Sequence, residues 1–136
     1  MTTSSVSPVT TELAGSETGI TLVIHAGAGS RGKHSTPERI AQVELDLQRA
    51  LDAGYQLLES GAPAHEAVVA AIHVMEDAPE FNAGRGAALT SDGIAQMDAC
   101  LMTGDGEVGA VTGVSTVKNP IDAARAVKEQ PKHVLF

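Results

Sequence analysis

The chain of 136 residues has no Trp, one Tyr and two Phe, so aromatics make up only 2% of it. A core must therefore be assembled from Ala, Val, Leu, Ile and Met, which suits closely approached layers of helix and sheet better than a cavity with aromatic walls. A single cysteine, Cys100, rules out an internal disulfide and with it a stapled secreted fold, which fits a reducing cytoplasm. Basic side chains are scarce: nine Lys and Arg stand against 17 Asp and Glu, a formal net charge of −8. That balance excludes a nucleic-acid backbone or an anionic membrane as the main partner, since both select basic surfaces. No stretch approaches the roughly 18 consecutive apolar residues of a membrane span, and Met1 to Gly19 lacks the basic start and apolar run of a leader. The expectation is a soluble cytoplasmic protein of one domain, long enough for a core of its own.

What is present falls into a clear order. Met1 to Gly19 is rich in Ser and Thr without periodicity and is expected to be a disordered tail, leaving residues 20–136 as the folded part. Ile20 to His25 is a short β-branched run that reads as a buried strand. Thr36-Pro37-Glu38 then opens a helix, with Thr as cap and Pro at the first helical position. Its stripe is Ile40, Val43, Leu47, Ala50, Leu51, Gly54, Leu57 and Leu58, ended by Gly61. A second helix starts at Pro63 with a narrower stripe of Ala64, Ala67, Val68, Ala71, Ile72 and Met75. After the glycine-rich stretch Glu76 to Gly86, Ala87 to Thr90 and Ile94 to Met102 read as a hairpin about Ser91-Asp92-Gly93. Gly104-Asp105-Gly106 turns into a strand at Glu107 to Val117, giving an antiparallel meander. Asn119-Pro120 repeats the capping signature before a short helix marked by Ile121, Ala124, Val127 and Lys128, and His133 to Phe136 opens another strand. The class is α+β, with helices packed against antiparallel strands.

Several residues invite chemical readings. Gly27-Ala28-Gly29-Ser30-Arg31-Gly32-Lys33-His34 has the glycine spacing and lysine of a phosphate-cradling loop, and a nucleotide-binding protein is one alternative. His34, however, stands where a hydroxyl should meet Mg²⁺, and the following helix starts too late to aim its amides at a phosphate. His34, His65, His73 and His133 show no metal-ligand spacing, and Val69 occupies the position where a zincin would need its second His. Taken alone, His25 reads as a buried, hydrogen-bonded side chain, Asn82 as the residue of a left-handed turn, and Cys100 as an inert buried thiol. Alternation places Asp98, Cys100 and Met102 on one face of their strand and Met97, Ala99 and Leu101 on the other. Asp98 is expected to be structural, bound to backbone or to Arg85.

The ordered set His25-Ala26-Gly27-Ala28-Gly29, Phe81-Asn82-Ala83-Gly84, Met97-Asp98-Ala99, Gly109-Ala110-Val111-Thr112-Gly113-Val114 and Asn119-Pro120-Ile121 resembles the plant-type L-asparaginase and isoaspartyl peptidase family of N-terminal-nucleophile hydrolases. The resemblance runs from about Ile20 to Phe136. It implies the N-terminal, α-subunit part of an αββα sandwich, made from a precursor that cuts itself so that a new N-terminal Thr on the β subunit becomes the nucleophile. It implies no catalytic cofactor but a structural sodium ion, held by backbone carbonyls of Glu76, Asp77, Ala78, Phe81, Ala83 and Arg85. Asn82 would orient the nucleophile, and His25 to Gly29 would form a loop that shifts during self-cleavage, with Ala26 replacing a family glycine. The partners implied are the β subunit, in an (αβ)2 assembly, and asparagine or an isoaspartyl peptide as substrate, with this chain inactive by itself. A truncated, inactive relative serving as an interaction module is the other alternative.

Overall fold

A computed structural model of the chain describes residues 19–26 and 36–130. The expectations for the tail before Gly19, for Gly27, Ala28, Gly29 and the rest of the segment to Ser35, and for the strand at His133 to Phe136 lie outside those residues.

Helix α1, Pro37–Glu59, begins where its capping residues place it: the Thr36 hydroxyl accepts the Arg39 N–H at 3.3 Å, and Pro37 sits in the first turn. A helix start leaves amides without partners, and the cap satisfies one of them. After Gly61, which turns with φ +83°, helix α2 spans Ala64–Asp77. The two pack through small residues, Gly54 of α1 facing the Ala67 carbonyl and the Ala71 methyl of α2. Ala50, Leu51, Ala67 and Ala71 are buried between them, as the stripes imply, whereas Ile40 is exposed. In α2 it is Val69, not Val68, that is buried. The helix serves two neighbours: Ala67 and Ala71 face α1, while Val69 joins the core formed with the sheet. Asp46 is buried within the α1 stripe and accepts hydrogen bonds from Gln42 Nε2 at 2.8 Å and Arg49 Nη1 at 3.0 Å.

Residues 19–26 form neither helix nor strand but keep the expected alternation: Thr21, Val23 and His25 are exposed, Ile20, Leu22 and Ile24 half-buried. Leu22 lies against Gly54. The buried strand expected at Ile20 to His25 is nonetheless not formed, because the segment makes no ladder with another strand among the described residues. Only one of its faces is covered, and this corrects the expectation of a buried His25.

Strand β1, Met97–Met102, pairs antiparallel with β2, Val108–Val114, through a turn in which Thr103 N–H reaches the Glu107 carbonyl at 2.9 Å. The turn expected at Ser91-Asp92-Gly93 is present, with Thr90 N–H on the Ile94 carbonyl at 2.9 Å and a bridge from Leu89 to Ala95. Its arms do not extend into a third strand. Leu89 and Ile94 are 65% and 48% exposed, so no apolar layer holds that hairpin flat. Helix α3, Pro120–Lys128, lies on the sheet, and Gly109 admits the α3 backbone at Ala124 and Lys128, where any side chain would collide. Val69, Leu101, Val111, Ile121, Ala124 and Val127 close this core.

The architecture is thus α+β, with helices over one face of a two-stranded antiparallel sheet among the described residues. On the other face Asp98, Cys100 and Met102 are exposed, Met102 by 65%. The alternation along β1 is as expected, but the buried thiol is not: Cys100 is exposed, since no described element covers that face. No helix among the described residues is long and apolar enough to cross a membrane.

Candidate functional site

The site grows out of the C-terminal end of α2. Past Asp77 the chain curls through Ala78 to Ala83 and a single 3-10 turn at Gly84–Gly86. Two buried apolar side chains, Ala78 and Phe81, anchor it from below. The Glu76 carbonyl oxygen lies against Gly84, whose φ is +50°, and a Cβ there would also stand 2.7 Å from the Glu76 Cβ. Gly86 is enclosed by the Phe81 carbonyl and by that of Pro79, the latter 2.7 Å from where a Cβ would be. Both glycines are required because main-chain oxygens occupy the space a side chain needs.

Of the carbonyls expected to bind a cation, those of Glu76 and Phe81 lie against the glycines, and that of Ala83 accepts the Gly86 N–H at 3.0 Å. The Pro79 carbonyl lies against Gly86 beside that of Phe81. No group of His, Cys, Asp and Glu among the described residues could hold a metal ion with side chains. The donors the loop offers are neutral oxygens, and that chemistry fits a hard cation of low charge.

Asn82 is exposed on the loop, and its Oδ1 accepts the Ala88 N–H at 2.8 Å. It does not occupy a left-handed turn: among the described residues every positive φ belongs to glycine. Its oxygen fastens the loop to the arm that follows, and its Nδ2 group is left to donate outward. Arg85 is exposed as well.

The two acids closing α2 turn their side chains toward α3. Asn119 does not cap α3 with its side chain, contrary to its motif; Glu76 does so from another helix, Oε1 accepting the Ile121 N–H at 3.0 Å. Pro120 has no N–H, so Ile121 carries the first amide of the helix that needs a partner. Glu76 is 3% exposed, and its Oε2 is buried without a hydrogen-bond partner. Burial pushes this carboxyl above its ordinary range, and the nearby Asn119 amide and Ile121 N–H offset part of that. Asp77 Oδ1 instead takes Lys118 Nζ at 2.8 Å and Asn119 Nδ2 at 3.4 Å. The Lys118 hydrogen bond, chiefly, holds the Asp77 carboxyl below its usual value. Further along, His73 meets Asp122 at 2.8 Å, and Arg125 grips both oxygens of Glu66.

Asp98 sits opposite a bulge. Met97 pairs with Val114 and Ala99 with Val111, so one β1 residue faces Thr112 and Gly113 together. Its Oδ1 accepts the Gly113 N–H and the Thr112 hydroxyl, each at 2.8 Å, and these two bonds, the backbone one first, hold its carboxyl low. The expected backbone partner is present; Arg85 is not its partner. Gly113 has φ +64°, the conformation such a bulge demands. At the start of α1 the Arg39 amide is taken by the Thr36 hydroxyl, so that helix does not present it to a phosphate.

The family described as Asparaginase matches residues 18–136, and the chain belongs to it. It is 46% identical over 118 residues to a plant-type L-asparaginase of Pyrococcus abyssi, covering 86% of this chain and 37% of that protein. An isoaspartyl peptidase of Escherichia coli is 41% identical over 118 residues, 85% of this chain and 36% of the relative. An isoaspartyl peptidase/L-asparaginase of Danio rerio is 40% identical over 114 residues, 83% and 36%. The chain therefore spans little more than a third of the length of the relatives it matches.

Proposed function

We propose that this chain is the α-subunit part of an amidohydrolase that acts on the side-chain amide of asparagine or on isoaspartyl peptides. The observation that carries the reading is the wrapped loop from Glu76 to Gly86, with Asn82 held outward on it, in a chain 46% identical to a plant-type L-asparaginase. The nucleophile belongs to a β subunit released from the same precursor, in an (αβ)2 assembly, where the two parts complete an αββα sandwich. Its N-terminal Thr hydroxyl attacks the amide carbon while the free α-amine of the same residue takes the proton. The C–N bond breaks, ammonia or the amine of the following residue leaves with that proton, and water then cleaves the acyl ester to release the aspartyl product.

This chain's own residues prepare that step. Asn82 Oδ1 is committed to Ala88, which fixes the side chain and leaves Nδ2 to donate toward the Thr hydroxyl. Sodium held by the carbonyls of Glu76, Asp77, Ala78, Phe81, Ala83 and Arg85 would contribute rigidity to the loop and no reacting group. The segment His25 to Gly29 would shift during self-cleavage, and the single cysteine fits a reducing cytoplasm.

The test is the intact mass of the polypeptides produced from the full-length protein, together with ammonia release from asparagine and amino-acid release from isoaspartyl dipeptides. Two chains in equal amount, the second starting with Thr, and turnover of either substrate are expected. A single uncut chain without turnover would overturn the proposal in favour of an inactive interaction module.

A further inference from the structure

Glu76 faces two ways. Its backbone is part of the loop, with the carbonyl and Cβ pressed against Gly84, while its carboxylate crosses to α3 and caps the Ile121 amide at 3.0 Å. We propose that the Glu76 side chain is a positioning residue, which fixes the loop that presents Asn82 by tying its root to the N-terminus of α3. The inference rests on the reading of that loop as part of the active site.

Loop residues 78–83 have no helix or strand of their own, so the loop's placement depends on its two ends. The far end is tied by Asn82 to Ala88 and by Gly86 to Ala83. The near end is the last turn of α2, where main-chain carbonyls lack helical partners. There the Glu76 carboxylate makes a buried bond to a third element, separated from it by 45 residues. Taking a carboxylate out of water is unfavourable, and its Oε2 has no partner. A cap made by Asn119, one residue away, would have served α3 without burying an acid. Asn119 instead turns to Asp77, so both acids at the root of the loop are held by the segment Lys118 to Ile121. The sheet that carries α3 is thereby linked to the root of the loop through the side chains of Glu76 and Asp77, and of the two only Glu76 makes a buried bond to the helix itself.

Amide hydrogen exchange in the full-length processed protein tests this. In Glu76→Ala, peptides covering 78–88 are expected to exchange roughly tenfold faster, the equivalent of one lost hydrogen bond to a charged group. Peptides from the centre of α1 should be unchanged. Glu76→Gln, which retains an acceptor for the Ile121 amide, should stay within about twofold of the wild type. Activity should fall in kcat more than it rises in KM, since the binding groups are elsewhere.

A second variant separates positioning from helix capping. Adding Asn119→Ser to Glu76→Ala gives α3 a local cap and should restore thermal stability, yet leave the loop exchanging fast. Should Glu76→Ala not fold, Glu76→Asp retains the charge but falls one methylene short of Ile121, and should speed loop exchange in the same way. Unchanged loop exchange in the variants, or full recovery of the loop with Asn119→Ser, would overturn the inference. A wild-type protein that releases no ammonia would instead sink the catalytic reading and leave the exchange result standing.

Discussion

At the scale of single residues, geometry sets the cost of change. Gly86→Ala would drive a Cβ into the carbonyls of Phe81 and Pro79, which are backbone and cannot swing aside. A loss of about 3 kcal/mol is expected in urea denaturation of the full-length protein, the upper end for overpacking. Asn82→Ala keeps the fold but loses an oriented donor, so kcat should drop by roughly a hundredfold with little change in melting temperature. Asp98 supplies a pH dependence whose sign is fixed: its folded pKa lies below the usual 3.8, so its contribution is complete above that value and lost as pH falls through the lower one. Acid unfolding followed by circular dichroism should therefore steepen below about pH 4 in the wild type and be flatter in Asp98→Asn. The residue types at these sites were readable, and so was the structural role of Asp98. What the sequence hid was partners: nothing in Asn119-Pro120 tells that an acid 43 residues earlier takes over the cap, and the lack of a neighbouring His or Lys that makes Cys100 read as an inert thiol says nothing of what covers its face of the strand.

Elements were legible where the signal is local and lost where it depends on neighbours. Both long helices start at or beside their capping or proline positions: the Thr36 hydroxyl satisfies an amide of α1, while Pro63 precedes α2 without a side-chain cap bond. The third strand of the meander and the first strand at Ile20 failed for one reason: an apolar run becomes a strand only when another strand pairs with it. Helix α3 shows the converse, a helix whose motif is right but whose cap comes from elsewhere. Deprived of Glu76 and of the sheet, it is only nine residues long. A peptide covering 118–130 should therefore be largely unstructured by far-ultraviolet circular dichroism in water, since helices shorter than roughly 12–15 residues do not hold by themselves.

For the whole molecule, the distribution of burial decides what the chain can do alone. One face of the β1–β2 sheet carries the core with α3 and Val69, while the other exposes Cys100 and Met102. The segment at Ile20 to Ala26 is likewise half-buried on alternate residues only, with Leu22 against Gly54 of α1. Both are surfaces that a layered fold buries against a further sheet, and a sheet of two strands is marginal by itself. The chain matches little more than a third of its relatives' length, and under the proposed α-subunit reading the layer that covers these surfaces would come from the β subunit. Expressed alone, residues 1–136 should melt without a sharp transition and bind a hydrophobic dye, whereas the same residues in the full-length processed protein should unfold cooperatively and leave the dye dark. Calorimetry on both forms checks this. A cooperative endotherm from the isolated chain would mean that its core is self-sufficient, and the proposed second layer would then be an addition to a finished domain rather than its missing half.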